Sequence, residues 1–162
     1  LYLDARPESP RRAEPADGFQ IGGFGAAMDE DGFMPLVNAG LSGQAAKVPG
    51  EIRRMREVGL NPVATVLALE RRTAELATLS ARLGTGANIS AFLEGEKQAR
   101  RVFFKDVRDL TEQLQAWRGN RLERLGERLI ALHQRMLSDN RSAEEMLTQE
   151  LAAIARSASA RR

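Results

Sequence analysis

Apolar side chains recur at every third or fourth position along most of the chain beyond residue 28, which is the spacing of an amphipathic α-helix. Before that point, prolines and glycines follow one another with few apolar residues between them, a composition typical of loop. No stretch alternates apolar and polar residues for long enough to predict a β-strand. The pattern predicts an all-α fold in which residues 29–162 form a bundle of about five or six helices, preceded by a loop-rich segment, residues 1–28.

Capping residues, prolines and glycines mark the helix boundaries. Asn61 followed by Pro62 is the strongest signal, because an asparagine side chain caps a helix start and proline suits the first turn. Ser142 stands three residues before Glu145, the spacing of a capping box. The signals predict helices over residues 29–43, 49–58 and 62–83, a short one between 94 and 105, one over 106–117, one from a cap at Asn120 through Met136, and one from Ser142 through Ile154.

The composition excludes several kinds of chemistry. The 162 residues contain no cysteine, so disulfide scaffolds, thiolate metal sites and thiol nucleophiles are excluded together. The same absence favours a reducing compartment, and we expect the protein in the cytoplasm. No stretch approaches the ~20 consecutive apolar residues that a membrane span needs.

The charges are nearly balanced. The chain carries 24 basic and 22 acidic side chains, and only three of the basic ones are lysine, so the high isoelectric point reflects arginine. The balance is negative in residues 1–50 and positive beyond them. Because nucleic-acid binders usually cluster charge of one sign, this distribution is weak evidence for such a function.

Candidates for catalysis or metal binding are few. His133 is the only histidine, and no ligating side chain stands four residues away from it on the predicted helix. The acidic runs at 29–31 and 144–145 lie at predicted helix starts, where the helix dipole favours negative charge. The glycine clusters at 22–25 and 40–43 lack the lysine and hydroxyl residue of a phosphate-binding loop. We therefore expect no catalytic residue, no cofactor and no metal site.

Basic residues support an alternative function, a helical nucleic-acid-binding domain that contacts phosphates through an arginine-rich face. Many of them have an acidic neighbour at helical spacing, however, and such mixed-sign pairing is typical of a solvated helix face. The stripe comprises Arg53, Arg54, Arg56, Arg71, Arg72, Arg100, Arg101, Lys105 and Arg108, and the predicted pairs are Arg53 with Glu57, Arg71 with Glu75, Glu96 with Arg100, Lys105 with Asp109, and Arg108 with Glu112.

Several motifs occur in the order found in a known family. They are LYLD at residues 1–4, GAAMDEDGF at 25–33, LVNAGLSG at 36–43, MREVGLNPV at 55–63, LALERR at 67–72, FFK at 103–105 and LQAW at 114–117, followed by a leucine-rich helix from 122 to 137. In this order, which covers essentially the whole chain, they resemble the C-terminal part of the delta subunit of the bacterial DNA polymerase III clamp loader, of the alphaproteobacterial type.

The resemblance implies that the chain is a piece of a longer subunit, and its first residue, leucine, agrees with that expectation. Residues 1–28 would be the end of an AAA+-type lid domain and residues 29–162 the helical collar, an oligomerisation domain. In this family the collar packs beside the collar domains of the gamma/tau and delta-prime subunits, so that the complex loads the sliding clamp on primed DNA during replication. The collar is not an enzyme, although the parent subunit belongs to a DNA-directed DNA polymerase holoenzyme, a nucleotidyltransferase.

The family binds the sliding clamp through an N-terminal domain that this sequence does not contain, so any contact of this chain with DNA is expected to be indirect or weak. We expect the partner contacts on the last two helices. The candidate residues are the exposed members of Arg121, Arg124, Arg128, Met136 and Met146.

Overall fold

The computed structural model describes residues 32–160, where α-helices are separated by short turns and no β-strand occurs, so the all-α prediction is confirmed. Three 3₁₀ turns, Ala45–Lys47, Phe104–Asp106 and Asn140–Ser142, precede the second, fifth and seventh helices. The predicted domain boundary after residue 28 lies outside the described residues. The helices are α1 (residues 32–41), α2 (Val48–Glu57), α3 (Pro62–Leu83), α4 (Ile89–Gln98), α5 (Val107–Ala116), α6 (Asn120–Ser138) and α7 (Ala143–Ser159).

The core lies where α3 and α6, the two longest helices, pack against each other and against α7. The wide apolar face of α3 is buried on several sides, since the helix also contacts α5. α6 buries one narrow face whose positions step by three or four residues, as the sequence predicts. That face consists of Leu122, Leu125, Leu129, Leu132 and Met136.

Three helix ends follow the sequence signals. Asn61 caps α3, because its Oδ1 accepts hydrogen bonds from the backbone N–H groups of Val63 at 2.7 Å and Ala64 at 3.4 Å. Gly43 and Gly59 follow α1 and α2 with positive φ angles of 80° and 75°. At both glycines the two reciprocal backbone hydrogen bonds of a Schellman motif close the helix.

Three expectations about helix ends are wrong. The fourth helix spans Ile89–Gln98 rather than a segment between 94 and 105, because Asn88 caps it with its side chain. Gly119, not Asn120, is the N-cap residue of α6. Ser142 makes no side-chain capping bond to α7, because a 3₁₀ turn already occupies the residues before that helix.

A buried polar network joins α1, α3 and α5. The guanidinium of Arg72, on α3, donates to Oε1 of Gln113 at 2.9 Å and pairs with Glu75 at 3.0 Å. The amide nitrogen of Gln113 donates to Oδ1 of Asn38 at 2.8 Å and to the Ser42 hydroxyl at 3.0 Å. Because a buried charge without partners is costly, these bonds fix how the three helices meet.

Gly43 lies where the end of α1 approaches the end of α7. A β-carbon at this position would lie 2.9 Å from the backbone nitrogen of Ser159, closer than non-bonded atoms approach one another. At Gly59, which has a similar φ, a β-carbon would meet no atom within 4 Å. The two glycines therefore separate the effect of backbone conformation from the effect of close packing.

We expect Gly43→Ala to lower the free energy of unfolding more than Gly59→Ala. Both variants place alanine at a positive φ, which costs about 1–2 kcal/mol, but only the first also forces two backbones apart. Chemical denaturation of the two variants measures the difference. Equal losses would mean that the contact between α1 and α7 tolerates the extra carbon.

Candidate partner-binding surfaces

An open groove of about 830 Å³ lies between α3 and α6, and we call it the α3–α6 groove. Small residues line it on both helices: Ala74, Ala77 and Ala81 on α3, and Gly126 on α6. A β-carbon at Gly126 would meet no atom within 4 Å. Ile130 forms part of one wall and is 53% exposed. The groove is therefore an unfilled, mainly apolar gap between two helices that pack closely elsewhere.

Three charged residues line the α3–α6 groove. Glu70 Oε1 lies 3.2 Å from Nδ1 of His133, so the only histidine belongs to a contact between α3 and α6. Arg118 donates from Nε to the backbone carbonyl of Leu114 at 3.3 Å. Glu123 is exposed and forms no ion pair with any described residue. The groove thus offers one acidic group, Glu123, to a molecule that enters it.

The predicted arginines lie together on the other side of α6, and we call Arg121, Arg124 and Arg128 the arginine face. Their spacing of three and four residues places them on one side of the helix, away from Gly126. With Trp117 they line a pocket of about 130 Å³. The structure therefore brings together three of the five residues that the sequence analysis named.

Arg121 is held in place from three directions. Its Nε donates to the carbonyl of Ala116 at 3.0 Å, and a terminal nitrogen donates to the carbonyl of Ser157 at 2.8 Å. Its guanidinium carbon lies 5.0 Å from the ring centroid of Trp117, the geometry of a cation–π contact. Arg121 therefore links α6 to the end of α5 and to α7, and its head group is pre-positioned.

Arg124 and Arg128 differ in their partners. Arg128 pairs with the carboxylate of Glu150, on α7, whose side chain is only 15% exposed. Arg135 approaches the same carboxylate at 3.7 Å. Arg124 is exposed and makes no hydrogen bond or ion pair with any residue between 32 and 160. In the arginine face, contacts within the protein therefore hold Arg121 and Arg128 in position, whereas Arg124 is exposed and available to bind a partner.

The two methionines named with the arginines belong largely to the interior. Met136 is fully buried, because it continues the leucine spacing of the buried face of α6, and it offers no surface to a partner. Met146 is half-buried and packs against the core. The expectation of surface contacts therefore needs correction at Met136.

Two exposed phenylalanines form a third surface feature, in the turn between α4 and α5. Phe103 is 59% and Phe104 63% exposed, and their ring centroids lie 5.0 Å apart. Nζ of Lys105 lies 6.0 Å from each centroid. We call these three residues the aromatic tip. It combines exposed rings with a cation, whereas the preceding Val102 is buried.

The turn that carries the aromatic tip is held by Glu96, on α4. Its carboxylate accepts hydrogen bonds from Arg101, at 2.9 and 3.1 Å, and from Arg82 at 3.1 Å, and not from the predicted partner Arg100. The hydrogen bonds from Arg101 are the main reason that the pKa of Glu96 is lowered, and they outweigh the opposing effect of burial.

The rest of the predicted arginine stripe does not form one positive surface. Arg72 lies in the buried network, and acidic side chains close to several other members offset their charge. One of these pairs, Arg108 with Glu112, was predicted from the sequence. Ion pairs join Arg54 to Glu51, Arg56 to Glu144, Arg101 to Glu96, and Arg108 to Glu112.

The α3–α6 groove was missed by the sequence analysis. Its one sequence signal is the occurrence of small residues at positions 74, 77 and 81 on α3, together with a glycine in the middle of α6. Such residues also occur in closely packed helix pairs, so the pattern does not separate a tight contact from an open gap.

Two kinds of site are not found in the part of the chain that the structure describes. No three histidine or acidic side chains there come together in a way that could hold a metal ion. None of the helices described combines the length and apolar character needed to cross a bilayer.

The chain matches no protein-family model, no curated protein and no solved structure.

We expect Glu96→Gln to lower the melting temperature at neutral pH, with a smaller effect in acid. Because the pKa of Glu96 is lowered in the folded chain, its ionised form stabilises the fold above the pKa of the unfolded carboxyl, about 4.3, and this contribution disappears as the pH falls through the lowered value. Thermal melts of both proteins between neutral and acidic pH test this.

The matched control is Glu94→Gln, which removes an exposed carboxylate paired with Lys97 on the same helix. We expect only a small change, because surface ion pairs contribute little. A difference between wild type and Glu96→Gln that stays constant down to acidic pH would contradict the role given to the Glu96 carboxylate.

Proposed function

We propose that the chain is the non-catalytic assembly domain of a clamp-loader delta subunit, working in the cytoplasm. In this proposal it packs beside the helical collar domains of the gamma/tau and delta-prime subunits, and the assembled complex loads the sliding clamp on primed DNA. The motif order described above motivates this identity. An all-α bundle with exposed docking surfaces supports it.

The α3–α6 groove is the observation that carries the proposal. Exposed apolar depressions on globular domains commonly mark protein–protein contacts, because association removes their surface from water. The α3 positions that line the groove, from Glu70 to Leu83, step by three or four residues. It therefore follows the helix for roughly 20 Å at 1.5 Å per residue, which suits a helix as occupant.

The chemistry of the lining indicates what kind of helix would fit. The small side chains of Ala74, Ala77 and Gly126 leave room for large aliphatic groups, which a neighbouring subunit would supply from the apolar face of an amphipathic helix. The unpaired carboxylate of Glu123 favours a basic residue beside that face.

We expect Gly126→Leu to fill the groove and to weaken binding of the gamma/tau or delta-prime subunit at least about tenfold, which corresponds to 1.4 kcal/mol. The fold should not suffer, because glycine inside a helix costs about 0.5–1 kcal/mol relative to alanine and a β-carbon at 126 has free space. Calorimetric titration of the purified chain with each subunit measures the affinity.

Gly95→Leu is the matched control. Gly95 is exposed within α4, its β-carbon would also have free space, and it does not line the groove. We expect wild-type affinity for this variant. Unchanged binding by Gly126→Leu would remove the groove from the interface, and no binding by the wild-type chain to either subunit would contradict the assembly function.

The aromatic tip supports a second candidate function, the binding of single-stranded nucleic acid. Bases stack on exposed aromatic rings, and cations beside the rings attract the phosphates. Phe103 and Phe104 are exposed beside Lys105, and Arg100 lies three residues before Phe103; neither cation has an acidic partner among residues 32–160. The surface is small, so this candidate stands second to assembly.

If the aromatic tip binds nucleic acid, Phe104→Ala should weaken the affinity for oligothymidylate by about 5- to 150-fold, the range expected when one stacking contact of 1–3 kcal/mol is lost. Leu137→Ala, at another exposed apolar side chain, is the control. Fluorescence anisotropy at several salt concentrations measures both. Binding that is absent, or that is insensitive to salt, would contradict this candidate.

A further inference from the structure

The arginine face places three like charges close together on one helix. Arg121 precedes Arg124 by three residues and Arg124 precedes Arg128 by four, the spacings at which like charges repel. Arg128 pairs with the carboxylate of Glu150, whereas Arg124 pairs with no described carboxylate. A bound anion at Arg124 would therefore offset the repulsion.

The pocket beneath these side chains is already formed. Arg121 is fixed by two backbone carbonyls and by the Trp117 ring, and Arg128 by Glu150, so little side-chain freedom remains to be lost when an anion binds. The pocket volume of about 130 Å³ equals the volume of roughly four water molecules at ~30 Å³ each. It suits a small oxyanion, and guanidinium groups bind oxyanions with two parallel hydrogen bonds.

The charges around the pocket favour a single carboxylate over a nucleic-acid backbone. Glu127 is exposed three residues after Arg124 and forms no ion pair with any described residue, and Glu150 lies on the other side, beside Arg128. These carboxylates would repel a chain of phosphates. One acidic side chain of a protein brings a single negative charge instead of several, and basic residues beside it would meet Glu127.

We infer that the arginine face is a carboxylate-binding site, in which an aspartate or glutamate side chain of a partner protein enters the pocket lined by Trp117 and is bound by Arg124 beside Arg121 and Arg128. This inference rests on the assembly proposal and names the chemical group that the partner supplies. It concerns the side of α6 that faces away from the α3–α6 groove, so the two surfaces are tested by different variants.

The test uses N-acetyl-glutamate amide as the probe, titrated into the full chain and followed by NMR at the indole N–H of Trp117, the only tryptophan, and at the Nε–H groups of the arginines. We expect saturable shifts with a Kd of about 1–10 mM. N-acetyl-glutamine amide, the uncharged analogue, should produce no chemical-shift changes. Arg124→Gln should weaken binding at least about tenfold, and it spares the fold because Arg124 is exposed and unpaired.

The control variant is Arg53→Gln, which removes an exposed arginine of α2 that does not line the pocket; it should bind the probe as the wild type does. Equal shifts from N-acetyl-glutamine amide, or unchanged binding by Arg124→Gln, would overturn the inference. So would oligothymidylate that displaces the probe at lower concentration, since the pocket would then belong to a nucleic-acid surface.

The outcomes also separate this inference from the assembly function. If the chain binds the glutamate probe but neither the gamma/tau nor the delta-prime subunit, the pocket stands and the assembly function fails. If Arg124→Gln binds those subunits and the probe as the wild type does, assembly stands and the carboxylate site fails.

Discussion

Burial of the Arg72 guanidinium is the constraint on which the described structure depends. A charge that is 5% exposed must be matched by acceptors, and the amide of Gln113 and the side chain of Asn38 supply them from two other helices. One turn beyond Gln113, the indole nitrogen of Trp117 donates to the carbonyl of Leu41 at 2.9 Å. These bonds fasten α5 to both α1 and α3. Any change in the position of one helix would leave polar groups of the other two buried without partners.

The positions of the surface residues around α6 depend on these buried contacts. Trp117 is buried and hydrogen-bonded to the end of α1, and its ring also makes the cation–π contact with Arg121. α6 therefore presents three different sides: a leucine face toward the core, a glycine beside an apolar gap, and arginines over a tryptophan. A helix with such distinct sides can contact two neighbours at once, as the proposed assembly function would require.

Sequence periodicity predicts the helices because burial of one face repeats every 3.6 residues, and the Asn61 cap was predictable because it acts within one turn. The bonds that position the surfaces are not local: Arg72 and Gln113 are 41 residues apart, and Arg56 and Glu144 are 88 residues apart. No short-range pattern contains these pairs. Met136 is a different case: it continues the leucine spacing of α6, so local periodicity places it in the core, and the expectation of a surface role for it beside Arg124 is wrong. The α3–α6 groove was not predicted because small residues occur both where two helices pack closely and where a gap separates them.

Gly126 has one more consequence, for local stability. A glycine in the middle of a 19-residue helix weakens that helix where the α3–α6 groove leaves it uncovered, so α6 depends there on its neighbours for its backbone order. A molecule that fills the groove adds the missing cover and must slow amide hydrogen exchange around Gly126. Binding in the groove and transient opening of the central turns of α6 are thus coupled, so the rate of hydrogen exchange in those turns measures how much of the groove is occupied.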